Sequence, residues 1–197
     1  MTHHLPRRGP DMTTTGLDLT AFTGTYTIDP SHSQIGFVAR HAMVTKVRGA
    51  FNDFTGTVVF DGANPEATAV TVTIQAASVD TRNAQRDEHL RGNDFFAMQE
   101  HPEITFVSTG LRITGEDTFD LVGDLTVKGV TNQVTIPFTY QGSATDPFGN
   151  QRLGFEGSVA INRKDYGVTW NAALETGGFL VSDKIVLEFE ISAIRNA

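Results

Sequence analysis

Cysteine is absent from this chain of 197 residues, which removes disulfides, thiol catalysis and Cys-ligated zinc together. Basic residues are few. Fifteen Lys and Arg stand against 23 Asp and Glu, the formal net charge is −8, and no run of cations forms a cluster. Nucleic acid is excluded as a partner on that ground, because phosphate binding draws on grouped Lys and Arg. No apolar run approaches the roughly 18 residues that a bilayer-spanning helix requires, so no transmembrane segment is expected. There is one Trp and there are three Tyr, against 14 Phe.

Catalytic constellations are missing as well. There is no Gly-x-Ser-x-Gly elbow to hold a serine nucleophile. Gly177-Gly178 runs into Phe179 rather than into a helix carrying Lys and Ser or Thr, so it cradles no phosphate. His32, His41, His89 and His101 fall at no zinc-binding spacing, and no His-Glu-x-x-His occurs. Asp87, Glu88 and His89 adjoin on a helix-prone stretch, where neighbours point in different directions and chelate one ion poorly. They read as a solvated charged face. Glu116 and Asp117 sit in a turn. Asn162, Arg163, Lys164 and Asp165 form a polar knot before Tyr166-Gly167, which reads as a structural turn with Asp165 paired to a nearby cation. The competing reading is a group that orients an anion. No metal and no cofactor are expected.

What the chain has is alternation. Val70, Val72, Ile74 and Ala76 alternate with Thr71, Thr73 and Gln75, giving one apolar face and one wet face. The same period of two recurs in residues 24–28, 33–42, 51–61, 104–114, 119–128, 133–140, 153–161 and 184–194. Short turns at 115–117 and Lys128-Gly129, and a longer Pro/Gly turn at 146–150, favour antiparallel pairing. Pro137 has no N–H for a ladder and marks a bulge or a gap in pairing. Residues 84–91 are helix-prone and end at Gly92, and Asp94, Phe95 and Phe96 suggest a second short turn after an Asp cap. The expected fold is all-β: an extended antiparallel barrel of about eight strands, lipocalin-like, with one or two short helices in residues 83–98. About eight strands is the size at which a closed barrel holds one small ligand. Gly123 and Gly157 lie on inner rows, where a missing side chain allows close packing or free volume.

Residues 1–20 are polar, with Pro6, Pro10 and a Thr run, and read as a disordered tail. Arg7 and Arg8 are not followed by the apolar stretch of a signal peptide, so a cytoplasmic protein is expected, with Met12 an alternative start. Residues 21–197 read as a single domain.

Several runs, taken in order, resemble the YceI family of lipid-binding proteins. They are Ile28-Asp29-Pro30-Ser31-His32-Ser33, Phe37-Val38-Ala39-Arg40-His41, Val47-Arg48-Gly49-Ala50-Phe51 and Phe54-Thr55-Gly56. The central run is Arg86-Asp87-Glu88-His89-Leu90, continuing to Asp94-Phe95-Phe96 and Pro102-Glu103-Ile104-Thr105-Phe106. Residues 123–131 and 162–167 complete the set. The resemblance spans roughly residues 26–194. It implies a lipocalin-like barrel holding a long polyisoprenoid or similar amphiphile in an elongated internal pocket. It also implies that homodimers form in the family, a contact that outward Val122 and Val186 would serve here. Many members carry a signal peptide; none is expected in this chain.

A branched hydrocarbon with a small polar end asks for wall area more than hydrogen bonds, at about 0.8 kcal/mol per buried CH2. The inner rows supply Phe37, Val72, Ile74, Phe106, Leu125, Ile136, Phe138, Phe155, Val159, Leu187 and Phe189. Phe51 and Phe54, with Phe60, add aromatic surface. Phe95, Phe96 and Met98 suit a lid or a fixed plug. Trp170 is placed at the rim or against the ligand. His41 continues the row of Ile35, Phe37 and Ala39 and is a candidate for a headgroup hydrogen bond at a barrel mouth. The expected function is non-enzymatic binding, storage or transport of an isoprenoid lipid or quinone. Two alternatives stay open: an enzyme on a lipid-like substrate with His41 as acid or base, and a stress-related barrel with a filled core.

Overall fold

The structure is a computed structural model that describes residues 16–197. Most of the expected tail, residues 1–15, lies outside the described residues. Residues 16–20 do not behave as tail. Asp18 accepts from Thr20 N–H at 3.1 Å and caps a 3-10 turn, Leu19–Phe22, that folds onto one end of the barrel.

Eleven strand segments follow in chain order. They are β1 (Gly24–Ile28), β2 (Gln34–His41), β3 (Thr45–Phe51), β4 (Phe54–Phe60), β5 (Ala69–Gln75), β6 (Val79–Asp80), β7 (Glu103–Ile113), β8 (Thr118–Val127), β9 (Val130–Thr145), β10 (Gln151–Asn162) and β11 (Lys184–Arg195). They amount to eight long strands, because three are interrupted. The pairs β1/β2, β3/β4 and β5/β6 each continue one another along the same neighbours: β1 with β4, β2 with β3, β4 with β5 and β3 with β6. Each long strand pairs antiparallel with the next in sequence, and β11 closes the ring onto β1 and β2. The result is an up-and-down barrel of eight strands, which alone among sheet arrangements removes the unpaired edges.

The interruptions have local causes. Pro30 has no N–H to give a ladder, and the break after β1 is bridged by side chains instead. Ser33 Oγ donates to Ser192 O at 3.3 Å and accepts from Ser192 N–H at 2.9 Å, replacing the missing rungs. Asp29 accepts from Ser31 N–H, and Arg152 Nη1 donates to its carboxylate at 2.7 Å. The same guanidinium reaches Asp146 Oδ2 at 2.8 Å through Nε, so one arginine ties the break to the β9–β10 hairpin. Its hydrogen bond holds the Asp29 carboxyl well below its ordinary range, at about 2.

One seam of the ring is incomplete. The β9–β10 ladder runs from Gln151↔Thr145 to Gly157↔Phe138 and stops there, one residue from Pro137. Beyond it, residues 130–137 pair only with β8, and residues 158–162 only with β11. Pro137 therefore marks a true gap in pairing, and a recess of about 420 Å³ opens between the two strands.

Helix α1 (Ala84–Arg91) is capped by Asn83, whose side chain accepts from Arg86 N–H at 2.9 Å, and it ends at Gly92 as expected. Asp87 is not part of a solvated face. It is 7% exposed and accepts from Thr81 N–H and Thr81 Oγ1 at 2.8 and 2.6 Å. Arg86 donates to Thr81 Oγ1 and Thr81 O, and Arg91 donates to Ala77 O and Val79 O. These groups pin the helix to the end of the β5/β6 strand. Asp94 caps no second helix; its carboxylate pairs with His89 Nε2 at 2.8 Å, and residues 93–96 are turn.

Candidate functional site

The inward residues of the strands enclose a cavity of about 520 Å³ along the barrel axis. That is the volume range of sites that hold one organic ligand. Its wall is almost wholly apolar. The filled-core alternative does not match this interior.

The two ends differ. At one end the lining includes the exposed residues Gly16, Leu17, Glu116 and Asp117, from the N-terminal turn and the β7–β8 loop. This is the mouth. Phe22 lies beside it, edge-on to Tyr140 at 5.7 Å, and its carbonyl accepts from Tyr26 Oη at 2.7 Å. At the other end the lining is buried: Phe95, Arg163, Tyr166 and Val168. The segment after α1 is a plug. Phe95 is 7% exposed and stands 5.4 Å from Trp170, which stands 4.8 Å from His89.

Aromatic rings run down the wall from the mouth. Tyr140 meets Phe155, Phe155 meets Phe119, Phe119 stacks on Phe138 at 5.6 Å, and Phe138 meets Phe189. A second run, Phe37, Phe51 and Phe96, reaches the plug. Such contacts add to the area term and fix the wall's shape.

The inner-row glycines leave no free volume. A Cβ on Gly157 would stand 2.6 Å from two ring carbons of Phe138, its cross-strand partner. A Cβ on Gly49 would stand 2.4 Å from Phe37, again its partner, and one on Gly123 the same distance from Phe106. Each glycine is the bed of a phenyl ring.

The knot at Arg163 is the strongest polar feature of the wall. Its guanidinium is 5% exposed. Nε donates to Ser182 O at 2.9 Å, and Nη1 donates to Val168 O and Trp170 O at 2.8 and 2.9 Å. Nη2 reaches Val181 O at 3.4 Å and lies 3.6 Å from Asp183. Burial lowers its pKa, and Asp183 opposes that shift. With its donors turned to carbonyls, Arg163 is a strut that cinches residues 168–183 across the closed end. Asp165 supplies its backbone oxygen to Asn132 Nδ2 at 2.8 Å, and the carboxylate that pairs with the cations of this knot is Asp183, which Lys164 meets at 3.1 Å and Arg163 at 3.6 Å. Burial pushes the neighbouring Tyr166 hydroxyl pKa up.

Of the residues expected in the wall, Phe37, Phe51, Val72, Ile74, Phe95, Phe96, Phe106, Leu125, Ile136, Phe138, Phe155, Leu187 and Phe189 line the cavity. Phe54, Met98 and Val159 belong to the packed core without reaching the open volume. Trp170 backs the plug from outside the lining. His41 is exposed and away from the cavity. His41 is the last residue of β2, and the cavity lining on its row ends two residues earlier, at Ala39, so His41 stands past the end of the cavity. The lining also takes in Arg163, Tyr166, Leu17, Leu19 and Phe22, which the sequence pattern did not assign to it.

A YceI-like domain model matches residues 26–193. The chain belongs to the YceI family. Among relatives of this YceI chain, a UPF0312 protein of Azotobacter vinelandii is 42% identical over 150 residues, covering 75% of this chain and 78% of the relative. One from Ectopseudomonas mendocina is 43% identical over 151 residues, covering 76% and 79%. Among solved structures, Burkholderia cenocepacia BcnA has a TM-score of 0.73 at 27% identity, over 84% of this chain and 98% of that one. The YceI protein of Campylobacter jejuni has a TM-score of 0.69 at 30% identity, over 80% and 90%. A polyisoprenoid binding domain from Saccharophagus degradans shares the fold alone, with a TM-score of 0.66 at 16% identity over 87% and 98%. The motifs that carry the YceI resemblance hold the barrel together here: Asp29 at the strand break, Asp87 under α1 and Arg163 across the closed end.

Proposed function

We propose that this YceI barrel binds a long isoprenoid-type lipid, held tail-inward in the axial cavity with its polar end at the acidic mouth. The observation that carries the reading is the cavity itself: about 520 Å³, walled by aliphatic side chains and two runs of aromatic rings, and open beside Leu17 and the β7–β8 loop. Burial at about 0.8 kcal/mol per CH2 supplies the gross driving force, offset by the lost freedom of the chain. The YceI family and the polyisoprenoid binding domain with the same fold support this ligand class.

The chemistry of the lining supports binding rather than turnover. Its one arginine is engaged by backbone carbonyls, and its carboxylates, Glu116 and Asp117, stand at the exposed mouth. Among the described residues no group of three or more His, Asp or Glu is placed to hold a metal ion. His41, the residue the enzyme alternative needs, is outside the cavity.

The test is solvent extraction of freshly and mildly purified protein followed by mass spectrometry. A hydrocarbon-rich amphiphile recovered in stoichiometric amount is the expected result. Protein that repeatedly yields none, and that takes up no added prenyl lipid, would sink the reading.

A further inference from the structure

The β2–β3 hairpin turns through Ala42 and Met43, with Val44 N–H donating to His41 O at 3.0 Å. Both central residues have left-handed φ, 51° and 63°. The loop has three residues, Ala42 to Val44, and turn positions of this hand normally use Asn and Gly, because other residues meet a steric penalty there. Here the strained turn carries Met43, 59% exposed, followed by Val44, 73% exposed. A second hairpin meets it. Leu174 N–H donates to Gly178 O, Gly177 and Gly178 make the turn, and Phe179 follows, 57% exposed. The tips touch: a Cβ on Gly178 would stand 3.4 Å from Met43 Cγ, and Ala42 N–H donates to Leu180 O at 2.8 Å.

Charge around this paired tip runs against the charge of the chain. Arg40 and Lys46 are direct cross-strand partners, both exposed, in a register where like charges repel. Exposed Lys184 begins the adjoining strand β11. Glu175 lies in the second hairpin, and Asp183 is already paired with Lys164. Within the paired tip and the start of β11, Arg40, Lys46 and Lys184 thus stand against Glu175 alone as an unpaired carboxylate, in a chain whose formal net charge is −8. A strained apolar point ringed by repelling cations is unfavourable in water. Both features become favourable against one kind of surface, an apolar interior under an anionic skin.

We infer that the closed end of the barrel docks on an anionic lipid bilayer, with Met43, Val44 and Phe179 as the inserted point and Arg40, Lys46 and Lys184 over the headgroups. The inference does not rest on the lipid-binding reading: docked in this way, the mouth at the opposite end of the barrel faces the solvent. The surface itself stands on exposure, backbone strain and charge.

The test is co-sedimentation of the full chain with phosphatidylcholine–phosphatidylglycerol vesicles and with pure phosphatidylcholine vesicles. Binding to the anionic vesicles is expected, weakening with salt, and falling about fivefold for each of Arg40→Gln and Lys46→Gln. Met43→Ser with Phe179→Ser should weaken it at least as much. A separate variant keeps the outcome clear of misfolding: Ala42→Asn with Met43→Gly supplies the residues the turn prefers, so it should raise Tm while lowering vesicle binding. Equal binding by all variants, or no binding to anionic vesicles, overturns the proposal. So does a dimer abolished by Met43→Ser and Phe179→Ser without vesicle binding, which would give the tip to a second copy of the chain. Lipid recovered by extraction from a protein that ignores vesicles would defeat the docking alone and leave the cavity reading standing.

Discussion

Phe138 lies flat over Gly157 of the neighbouring strand, so close that a single added methyl would stand 2.6 Å from its ring. The contact sets the width of the cavity at mid-barrel, because Phe138 also joins Phe119 and Phe189 in the aromatic wall. Gly157→Ala is expected to tilt the ring into the lumen. Stability should fall by about 1–3 kcal/mol, the range for overpacked interiors. Urea unfolding measures the first effect, and the quantity of lipid extracted per mole of protein measures the narrowing.

A real cavity accepts volume that a packed core rejects. Leu187→Trp places a larger side chain on the lining, where space is available. Val79→Trp puts the same bulk at a position only 1% exposed, within the core cluster and off the cavity lining. The first should stay folded with less bound lipid. The second should lose about 1–3 kcal/mol or more. Thermal melts with parallel lipid extraction compare the two, and equal destabilisation would argue against an open lumen.

Arg163→Met keeps much of the stem and removes the donors. At least three carbonyls, those of Val168, Trp170 and Ser182, lose a charged partner. A loss of about 3 kcal/mol is expected, given about 1–3 kcal/mol per buried group left unsatisfied. Hydrogen exchange should rise first in residues 168–183, which the strut holds, while the β7–β8 ladder keeps its protection.

Acid should act through Asp29. Its pKa is about 2 in the folded chain against an ordinary 3.8, because Arg152 donates to it. A depressed carboxyl stabilises the fold above its unfolded value and loses that contribution as pH falls from about 3.8 toward 2. Asp146, on the same guanidinium, is also held below the usual range, chiefly by Asn150. Asp29→Asn is therefore expected to be less stable than the native chain at pH 7 and to flatten this part of the acid limb. Urea midpoints measured from neutral pH downward check both; parallel curves for the two proteins would remove Asp29 from the account.

The strands were legible because alternation is a local signal. Val70 and Ile74 are buried and Thr71 is exposed, as a period of two requires. Pro137 was legible for the same reason, since a missing N–H acts on its own rung. Arg163 reads as an ordinary turn residue because its role is not local: its hydrogen-bond partners lie up to 19 residues away, on a segment whose path no periodicity describes. His41 failed in the opposite way. The alternation extends to it, but the cavity ends at Ala39, and a period of two carries no information on where the lumen stops. The glycines on the inner rows were ambiguous, because the ring that fills the space belongs to the neighbouring strand. Leu17 and Leu19 read as part of a polar tail because their place at the mouth depends on the 3-10 turn Leu19–Phe22, which no periodicity announces.

The unfinished ladder between β9 and β10 gives the barrel a mechanical direction. A ring hydrogen-bonded all the way round resists widening, since every rung must stretch together. From Phe138 toward the closed end this ring is a split collar: its two lips are held from behind by β8 and β11, and across the gap Asn132 clips to Asp165. Girth can change there by flexing two strands, without breaking a rung. The fully laddered half of the lumen lies toward the mouth, so the proposed ligand meets a fixed girth first and an adjustable one deeper in.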